Sequence, residues 1–185
     1  MWYKIDMKQY LLTAAGRDRP GLVAAVSKIL FEEGCNLEDS AMTRLQGEFA
    51  ILLILSGPRQ TRGLEKKLKG LGKKLGLAVT LKPLSSRESK APQKMGERVL
   101  ISVYGADRPG IVHRVTQHLA KAKVNLSDLS THRTESKGNP SGYILYLEGE
   151  APDGVTPGFL ENDLRTALAE MGVTVSVKAL TSQTL

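Results

Sequence analysis

Hydrophobic residues along this chain follow two periods, and the same succession of periods occurs twice. Tyr10, Leu12 and Ala14 alternate with residues that point the other way, and this period of two predicts a strand. A helical period of i, i+3 and i+7 follows it. The second half repeats the alternation at Val99, Ile101 and Val103, and the helical stripes are Val23, Val26 and Leu30, then Val112, Val115 and Leu119. Each half therefore begins with a predicted strand and an amphipathic helix.

The remainder of each half predicts two strands, a second helix and a last strand. In the first half these are strands at 36–45 and 47–55 with a tight Gln46-Gly47 turn, a helix carrying Leu64, Leu68, Leu71 and Leu75, and a strand at 77–81. In the second half they are strands at 125–135 and 142–149, a helix carrying Leu160, Leu164 and Leu168, and a strand at 173–177. The order β-α-β-β-α-β predicts an α+β protein with two ferredoxin-like domains, each a four-stranded antiparallel sheet with two helices on one face.

An internal repeat supports this division. Residues 16–44 align without gaps to residues 105–133 with twelve identities in 29 positions, where chance gives about two at a match rate of roughly 6%. The offset is 89 residues and grows to about 96 downstream, which we attribute to the longer turn at 136–141. The predicted domains are 1–83 and 98–181, with a polar linker at 84–97 and a loose end at 181–185. Domains of this size have thin cores, so we expect a large interface between them.

The most similar segment of the repeat is Asp-Arg-Pro-Gly, at 18–21 and 107–110, between the first strand and the first helix. Proline suits the first helical position. Glycine in a first helical turn costs up to ~1 kcal/mol, so we expect either another chain segment or a ligand to approach the backbone closely there. The free amides and the helix dipole attract an anion such as a carboxylate. Asp18 and Asp107 either cap these helices or take part in binding.

A second repeated signature, Asn-Leu-x-Asp, follows the first helix at Asn36 and Asn125. One interpretation is structural, because asparagine adopts the left-handed conformation that ends a helix. The other is functional. The asparagine amide, or Asp39 and Asp128, would take an ammonium group while a helix N-terminus takes a carboxylate, so that a zwitterion has a partner at each end.

Together these motifs resemble the ACT domain, and the resemblance covers both halves. Two such units without a catalytic domain are similar to the family of glycine cleavage system transcriptional repressors. The resemblance implies an amino-acid-binding regulator of amino-acid or glycine metabolism genes that acts indirectly, through a regulatory protein partner. It implies a ligand held where the strand–helix loop of one unit faces its neighbour, and it allows homo-oligomers such as a dimer. The implied ligand-binding residues are Asp18, Arg19, Gly21, Leu22, Val23 and Asn36, with Asp107, Arg108, Gly110, Ile111, Val112 and Asn125.

Charge is distributed unevenly along the chain. The formal net charge is +7, but residues 59–98 alone carry twelve Lys or Arg against three Glu. Such a segment is a solvated helix face followed by a polar connector, or else a surface for an acidic partner or a phosphate backbone. Two alternative functions therefore stand beside the regulator. One is a basic nucleic-acid-binding protein that uses residues 59–98, and the other is a ligand-free ACT pairing module that regulates an enzyme.

Other features of the sequence exclude more than they indicate. We expect a cytoplasmic protein without a membrane span, because the longest aliphatic run, 50–55, is far below the ~20 residues needed and no secretory signal precedes it. His113 and His118 lie on different faces of one helix, so we expect no metal. Cys35 is a packing residue or, less favoured, a reactive thiol. No nucleotide-binding or catalytic motif is present, which disfavours an enzyme and predicts no cofactor.

Overall fold

The computed structural model describes residues 7–59, 61–85, 96–134 and 142–180. The chain divides into two compact units, Met1–Ala91 and Pro92–Leu185. The predicted turn at 136–141, the final segment 181–185 and most of the linker lie outside the described residues. At the linker's described ends, the buried Leu84 donates its amide to the Gln9 carbonyl, and Glu97 begins a strand. The helices in the described part of the chain are all too short or too polar to cross a bilayer.

Each unit has the predicted β-α-β-β-α-β order. The first unit contains β1 (Met7–Arg17), α1 (Leu22–Glu32), β2 (Asn36–Leu45), β3 (Glu48–Pro58), α2 (Arg62–Leu75) and β4 (Leu77–Pro83). The second contains β5 (Glu97–Ala106), α3 (Ile111–Lys121), β6 (Asn125–Thr134), β7 (Gly142–Ala151), α4 (Pro157–Ala167), a 3₁₀ turn (Ala169–Met171) and β8 (Val173–Ala179). The sheets are antiparallel, in the orders β2-β3-β1-β4 and β6-β7-β5-β8. The α+β fold class is confirmed.

Each unit has its own hydrophobic core. Alternate residues of the central strands point towards the helices, as Leu12 and Leu53 do as direct partners in the first sheet. Helix α1 contributes Leu22, Val26 and Leu30, all at most 2% exposed. The first core also contains Tyr10, Ala14, Phe49, Ile51, Leu55, Leu64, Leu68 and Leu77, and the second is built from the equivalent positions around Ile101, Val115, Leu147 and Leu164. The predicted helix stripes are therefore correct at Val26, Leu30, Val115 and Leu119. They are wrong by one residue at their start, because Leu22 and Ile111 are buried while Val23 is 46% exposed and Val112 is only partly buried.

Residues with positive φ set the turns. Gln46 and Gly47 have φ of 48° and 88°, the pair of left-handed conformations that a two-residue type I′ hairpin turn requires. Gly34, with φ of 68°, ends α1 as predicted, and Lys123 takes the equivalent position after α3 with φ of 58°. The structural interpretation of the asparagines was therefore wrong. Asn36 and Asn125 do not provide the left-handed residue, because each is already the first residue of a strand.

Strand pairing also corrects the account of the repeat offset. Phe49 lies opposite Gly16 and Tyr143 lies opposite Gly105, so the offset at the third strands is 94 residues. Leu77 and Val173 lie opposite the same two glycines and give 96 at the last strands. The longer hairpin turn therefore accounts for most of the growth from 89. The remainder comes from the longer connection between β7 and α4.

Candidate functional site

A Pro-Gly turn leads into the first helix of each unit. Gly21 has φ of 92° and ψ of −3°, and Gly110 has φ of 93° and ψ of −4°. These angles fit the third residue of a type II turn, where glycine is favoured and proline commonly precedes it. The helices begin one residue later, at Leu22 and Ile111. The expectation that proline occupies the first helical position, with glycine in the first turn, was therefore wrong.

The glycines are explained by backbone conformation. A Cβ built on Gly21 or Gly110 would meet no atom within 4 Å, so no neighbouring segment requires the absence of a side chain. A left-handed φ is costly for residues with a Cβ, and this alone favours glycine at both turns. The expectation of close packing by another part of the same unit is therefore not met. The space above both helix entrances is open.

No side chain caps α1 or α3 at its N-terminus. The carbonyl of Gly21 accepts from the Ala25 amide at 2.9 Å, and that of Gly110 accepts from the Arg114 amide at 3.0 Å. The amides of the first turn itself have no carbonyl one turn earlier to accept from them. Of the two roles predicted as alternatives for Asp18 and Asp107, capping is therefore wrong, and binding stays a prediction. The uncapped amides and the helix dipole leave a positive end beside the open space.

The two aspartates instead pair with arginines from the second strand of their unit. Asp18 Oδ2 lies 3.3 Å from Arg44 Nη1, and Asp107 Oδ2 lies 2.9 Å from Arg133 Nε. Arg44 and Arg133 are equivalent in the repeat, so the ion pair is duplicated together with the turn. Both arginines are more than 70% exposed. Each entrance therefore has a carboxylate and a guanidinium side by side at its rim.

Arg19 and Arg108 have a positioning role. The Arg19 guanidinium donates to the carbonyl of Leu75 at the end of α2. The equivalent Arg108 donates to the Glu170 carbonyl at 3.1 Å, in the 3₁₀ turn that follows α4. Guanidinium groups suit helix C-termini because the carbonyls there lack partners. The arginine of each repeated motif thus fastens the entrance loop to the second helical segment of its unit.

A cleft of about 300 Å³ opens at the entrance of α1. This volume is at the small end of ligand pockets, which span about 300–1,000 Å³. Phe49 is 3% exposed and contributes apolar surface, while Val23 and Met42 are about half exposed. The complete lining is Asp18, Arg19, Gly21, Leu22, Val23, Ala24, Met42, Arg44 and Phe49. Five of these nine residues were predicted from the sequence.

The other four residues of the cleft were not predicted. Ala24 lies one residue beyond the predicted segment of α1. Arg44 lies opposite Phe49, and Met42 opposite Ile51, so Arg44 and Met42 are on the helix side of the sheet. The identity of Arg44 with Arg133 in the repeat was the available signal for the arginine. No local pattern marks Met42 or Phe49, because the pairing of β2 with β3 is what brings them to the entrance.

The structure does not bring Asn36 or Asn125 to the entrance of its own unit. Asn36 begins β2, and Arg44 lies eight residues further along, a separation of roughly 26 Å in a strand. The Asn-Leu-x-Asp signature instead coincides with a β-bulge, since the register shifts between Leu37 and Asp39, and in the same way in β6. Asp39 accepts from the Ser40 amide at 2.7 Å. A ligand-binding role for the asparagines stays a prediction.

His118 and Cys35 each have contacts that explain them within their own unit. His118 Nδ1 is 2.8 Å from Asp163 Oδ2, a contact that joins α3 to α4. Cys35 is half-buried, and its Sγ lies 2.7 Å from where a Cβ on Gly57 would be. Burial, reinforced by the Glu33 carboxylate, raises the pKa of the Cys35 thiol. A raised pKa leaves less of the nucleophilic thiolate, which favours the packing interpretation.

This chain is a tandem-domain protein of the α+β class. It contains two copies of one ferredoxin-like domain, and each copy has the same open helix entrance and Asp-Arg pair. The family model of the ACT domain matches residues 8–82 and again residues 97–178. The chain belongs to the ACT domain family. It is related to the glycine cleavage system transcriptional repressor of Escherichia coli, with 27% identity over 180 residues that cover 95% of this chain and 93% of the relative. A UPF0237 protein of Methanopyrus kandleri is 37% identical over 76 residues, 40% of this chain and 84% of that protein.

Solved structures share the fold over nearly the whole chain. A crystal structure provisionally assigned as a glycine cleavage system transcriptional repressor has a TM-score of 0.70 and 24% identity, and covers 96% of this chain and 99% of its own. The structure of an unknown protein from Galdieria sulphuraria has a TM-score of 0.79 and 22% identity, and covers 95% of this chain and 100% of its own. At these identities the likeness supports the fold.

Proposed function

We propose that this protein is an amino-acid-binding regulator that controls transcription of amino-acid or glycine metabolism genes indirectly, through a protein partner. The observation that carries the proposal is the uncapped helix entrance of each unit, open to solvent and flanked by an Asp-Arg pair. Relationship to a transcriptional repressor supports the regulatory part. In this proposal the protein has no enzymatic activity of its own and acts in the cytoplasm.

The entrance of α1 is complementary to a zwitterion. The first-turn amides and the Arg44 guanidinium attract a carboxylate. The Asp18 carboxylate attracts an ammonium group. Asp18 Oδ2 and Arg44 Nη1 are 3.3 Å apart, so groups of both signs are offered within the reach of one α-amino acid.

The size of the cleft favours a small amino acid. About 300 Å³ holds the zwitterion and a short side chain, which would lie against Val23, Met42 and Phe49. The entrance of α3 offers the same charges through Asp107 and Arg133. Contact between a bound ligand and a neighbouring unit, including Asn36 or Asn125, remains a prediction of the family resemblance.

Calorimetric titration with a panel of amino acids, glycine and serine first, tests the proposal. The first variants are Ala24→Glu and the equivalent His113→Glu, which put a carboxylate at the third position of α1 or α3. Glutamate there suits the helix dipole, so folding is expected to be unaffected. We expect affinity at the altered entrance to fall by about tenfold or more, because two carboxylates then compete for the same amides.

The matched controls are Ala24→Gln and His113→Gln, which add similar bulk without charge. They should weaken binding less than the glutamate variants. Gly21→Val and Gly110→Val are less suitable, because a branched side chain at φ near 90° strains the turn itself. Heats of binding that are identical in wild type and in the double glutamate variant would place any ligand elsewhere. No heat with any amino acid would reject ligand binding and favour the pairing module.

A further inference from the structure

A row of positive charge runs along the solvent side of α2. Its four members are spaced by four, three and four residues, which places them within a narrow arc of the helix surface opposite the buried leucines, over roughly 16 Å. They are Arg62, Lys66, Lys69 and Lys73, and we call them the basic row. All four are exposed. Helix α2 as a whole has six basic residues and one acidic residue, Glu65.

Within the described segments, the basic row is separate from the ion pairs that hold the first unit together. The neighbouring Lys67 lies 2.7 Å from Glu33 and 3.7 Å from Glu32, so that lysine joins α2 to the end of α1. Among the residues the structure describes, no carboxylate forms an ion pair with any member of the row. The charge of the row therefore stabilises no contact of the described fold and is available to a partner.

The basic row is particular to the first unit. At the repeat offset of 96 residues, its members correspond to Gly158, Asn162, Arg165 and Ala169. Helix α4 carries two carboxylates, Glu161 and Asp163, and a single arginine. The same fold therefore forms with or without the basic row. The row is a property of the surface of the first unit and is not required by the ACT fold.

A small cleft with three apolar and three polar lining residues lies beside the row. It has a volume of about 260 Å³ between α2 and β4, and its lining is Glu65, Leu68, Lys69, Val79, Thr80 and Leu81. Strand β4 is at the edge of its sheet, so its outer backbone groups have no strand partner in this sheet. Lys69 borders both this cleft and the groove along the row. Positive charge, a cleft that offers Leu68, Val79 and Leu81, and a strand edge are therefore contiguous.

We propose that this surface docks an acidic protein segment in which an apolar side chain lies next to carboxylates. The carboxylates would pair with the basic row while the apolar side chain enters the cleft. Strand addition along β4 would supply backbone hydrogen bonds. The inference rests on the proposed function, because the acidic segment is taken to belong to the protein partner of the proposed regulator.

Other polyanions fit the surface less well. Residues 62–83 contain no aromatic residue on which a nucleic-acid base would stack. A membrane surface would need an exposed apolar helix face. The leucines of α2 are used instead in the core, with Leu64 and Leu68 at most 2% exposed.

Fluorescence anisotropy with the full chain tests the docking surface. The probe is a short fluorescein-labelled peptide in which glutamates flank one leucine, at about 0.15 M salt and without amino acid. We expect the double variant Lys66→Glu with Lys69→Glu to raise the Kd about tenfold or more. The matched control, Lys121→Glu with Lys178→Glu, makes the same change in net charge on the second unit and should alter the Kd less than about twofold. Circular dichroism confirms that both variants fold.

Two further arms separate docking from general charge attraction. Replacing the leucine of the peptide by glutamine should raise the Kd about tenfold or more, because glutamine cannot replace the apolar contact of leucine in the cleft. A photo-reactive leucine should crosslink within residues 62–83. Equal loss in the control variant, crosslinks outside this range, or tighter binding of a DNA duplex that displaces the peptide would each overturn the proposal. Because the assay contains no amino acid, its result is independent of the calorimetric test.

Discussion

Single residues explain why the helix entrances are built as they are. The sequence showed that Asp-Arg-Pro-Gly is repeated, and it identified five of the nine residues that line the cleft. It did not show that glycine is needed for its φ of about 92°, because a Pro-Gly pair fits both a turn and a first helical turn. The partners of Asp18 and Arg19 were also beyond local reasoning. They lie on β2 and at the end of α2, brought there by tertiary pairing.

Substituting the turn glycines tests this explanation. Gly21→Ala or Gly110→Ala should each lower the free energy of unfolding by about 1–2 kcal/mol, because alanine is strained in the left-handed region. Gly70→Ala is the control. Gly70 lies inside α2 with nothing within 4 Å of an added Cβ and no positive φ, so this change should raise stability by up to about 1 kcal/mol. Urea denaturation measures all three. Stabilisation by Gly21→Ala would contradict the turn assignment.

Among helices and strands, agreement between sequence and structure is closest where periodicity is strong. Every predicted strand and helix is present, and β2 has the predicted bounds of 36–45. Strand ends differ more. Strand β3 extends to Pro58 and β4 to Pro83, since partners on β1 continue the pairing beyond the last strongly apolar residue. The bulges in β2 and β6 were not predicted, because they depend on the register with β3 and β7.

The N-termini of the second helices differ in a way that can be measured. The Thr156 hydroxyl caps α4 by accepting from the Phe159 amide at 3.2 Å, with Pro157 as the first helical residue. Thr61 precedes α2 without capping it and instead donates to Glu65 at 3.0 Å. Thr156→Ala should therefore lower stability by about 1 kcal/mol. Thr61→Ala serves as the comparison and should have a smaller effect in the same denaturation experiment. Equal losses would show that the cap does not account for the cost.

For the chain as a whole, the repeat predicts two domains, and the structure has two units with separate cores. The sequence located the charge asymmetry between residues 59–98 and the rest of the chain. Lys67 pairs with Glu32 and Glu33, whereas the basic row does not. Only the structure shows this difference in pairing, because it depends on where α1 ends. The large interface between the units remains a prediction from domain size.

Expressing the domains separately tests their independence. Residues 1–83 and 98–181 should each fold, because each contains a complete core. If the predicted interface exists, each should unfold at lower temperature alone than in the intact chain, since apolar surface is then exposed. Thermal denaturation followed by circular dichroism compares the three proteins. Unchanged transitions in the separated domains would show that the interface contributes nothing.

The most direct test of the proposed function is a titration of the isotope-labelled protein with glycine and with serine, followed by amide NMR spectra. The account predicts that the amides of Leu22, Val23 and Ala24, or those of Ile111, Val112 and His113, shift most and saturate together, because a carboxylate accepts from them. The Ala24→Glu and His113→Glu variants should lose the shifts at the altered entrance. Saturable shifts confined to other regions, or no shifts with either amino acid, would contradict the account.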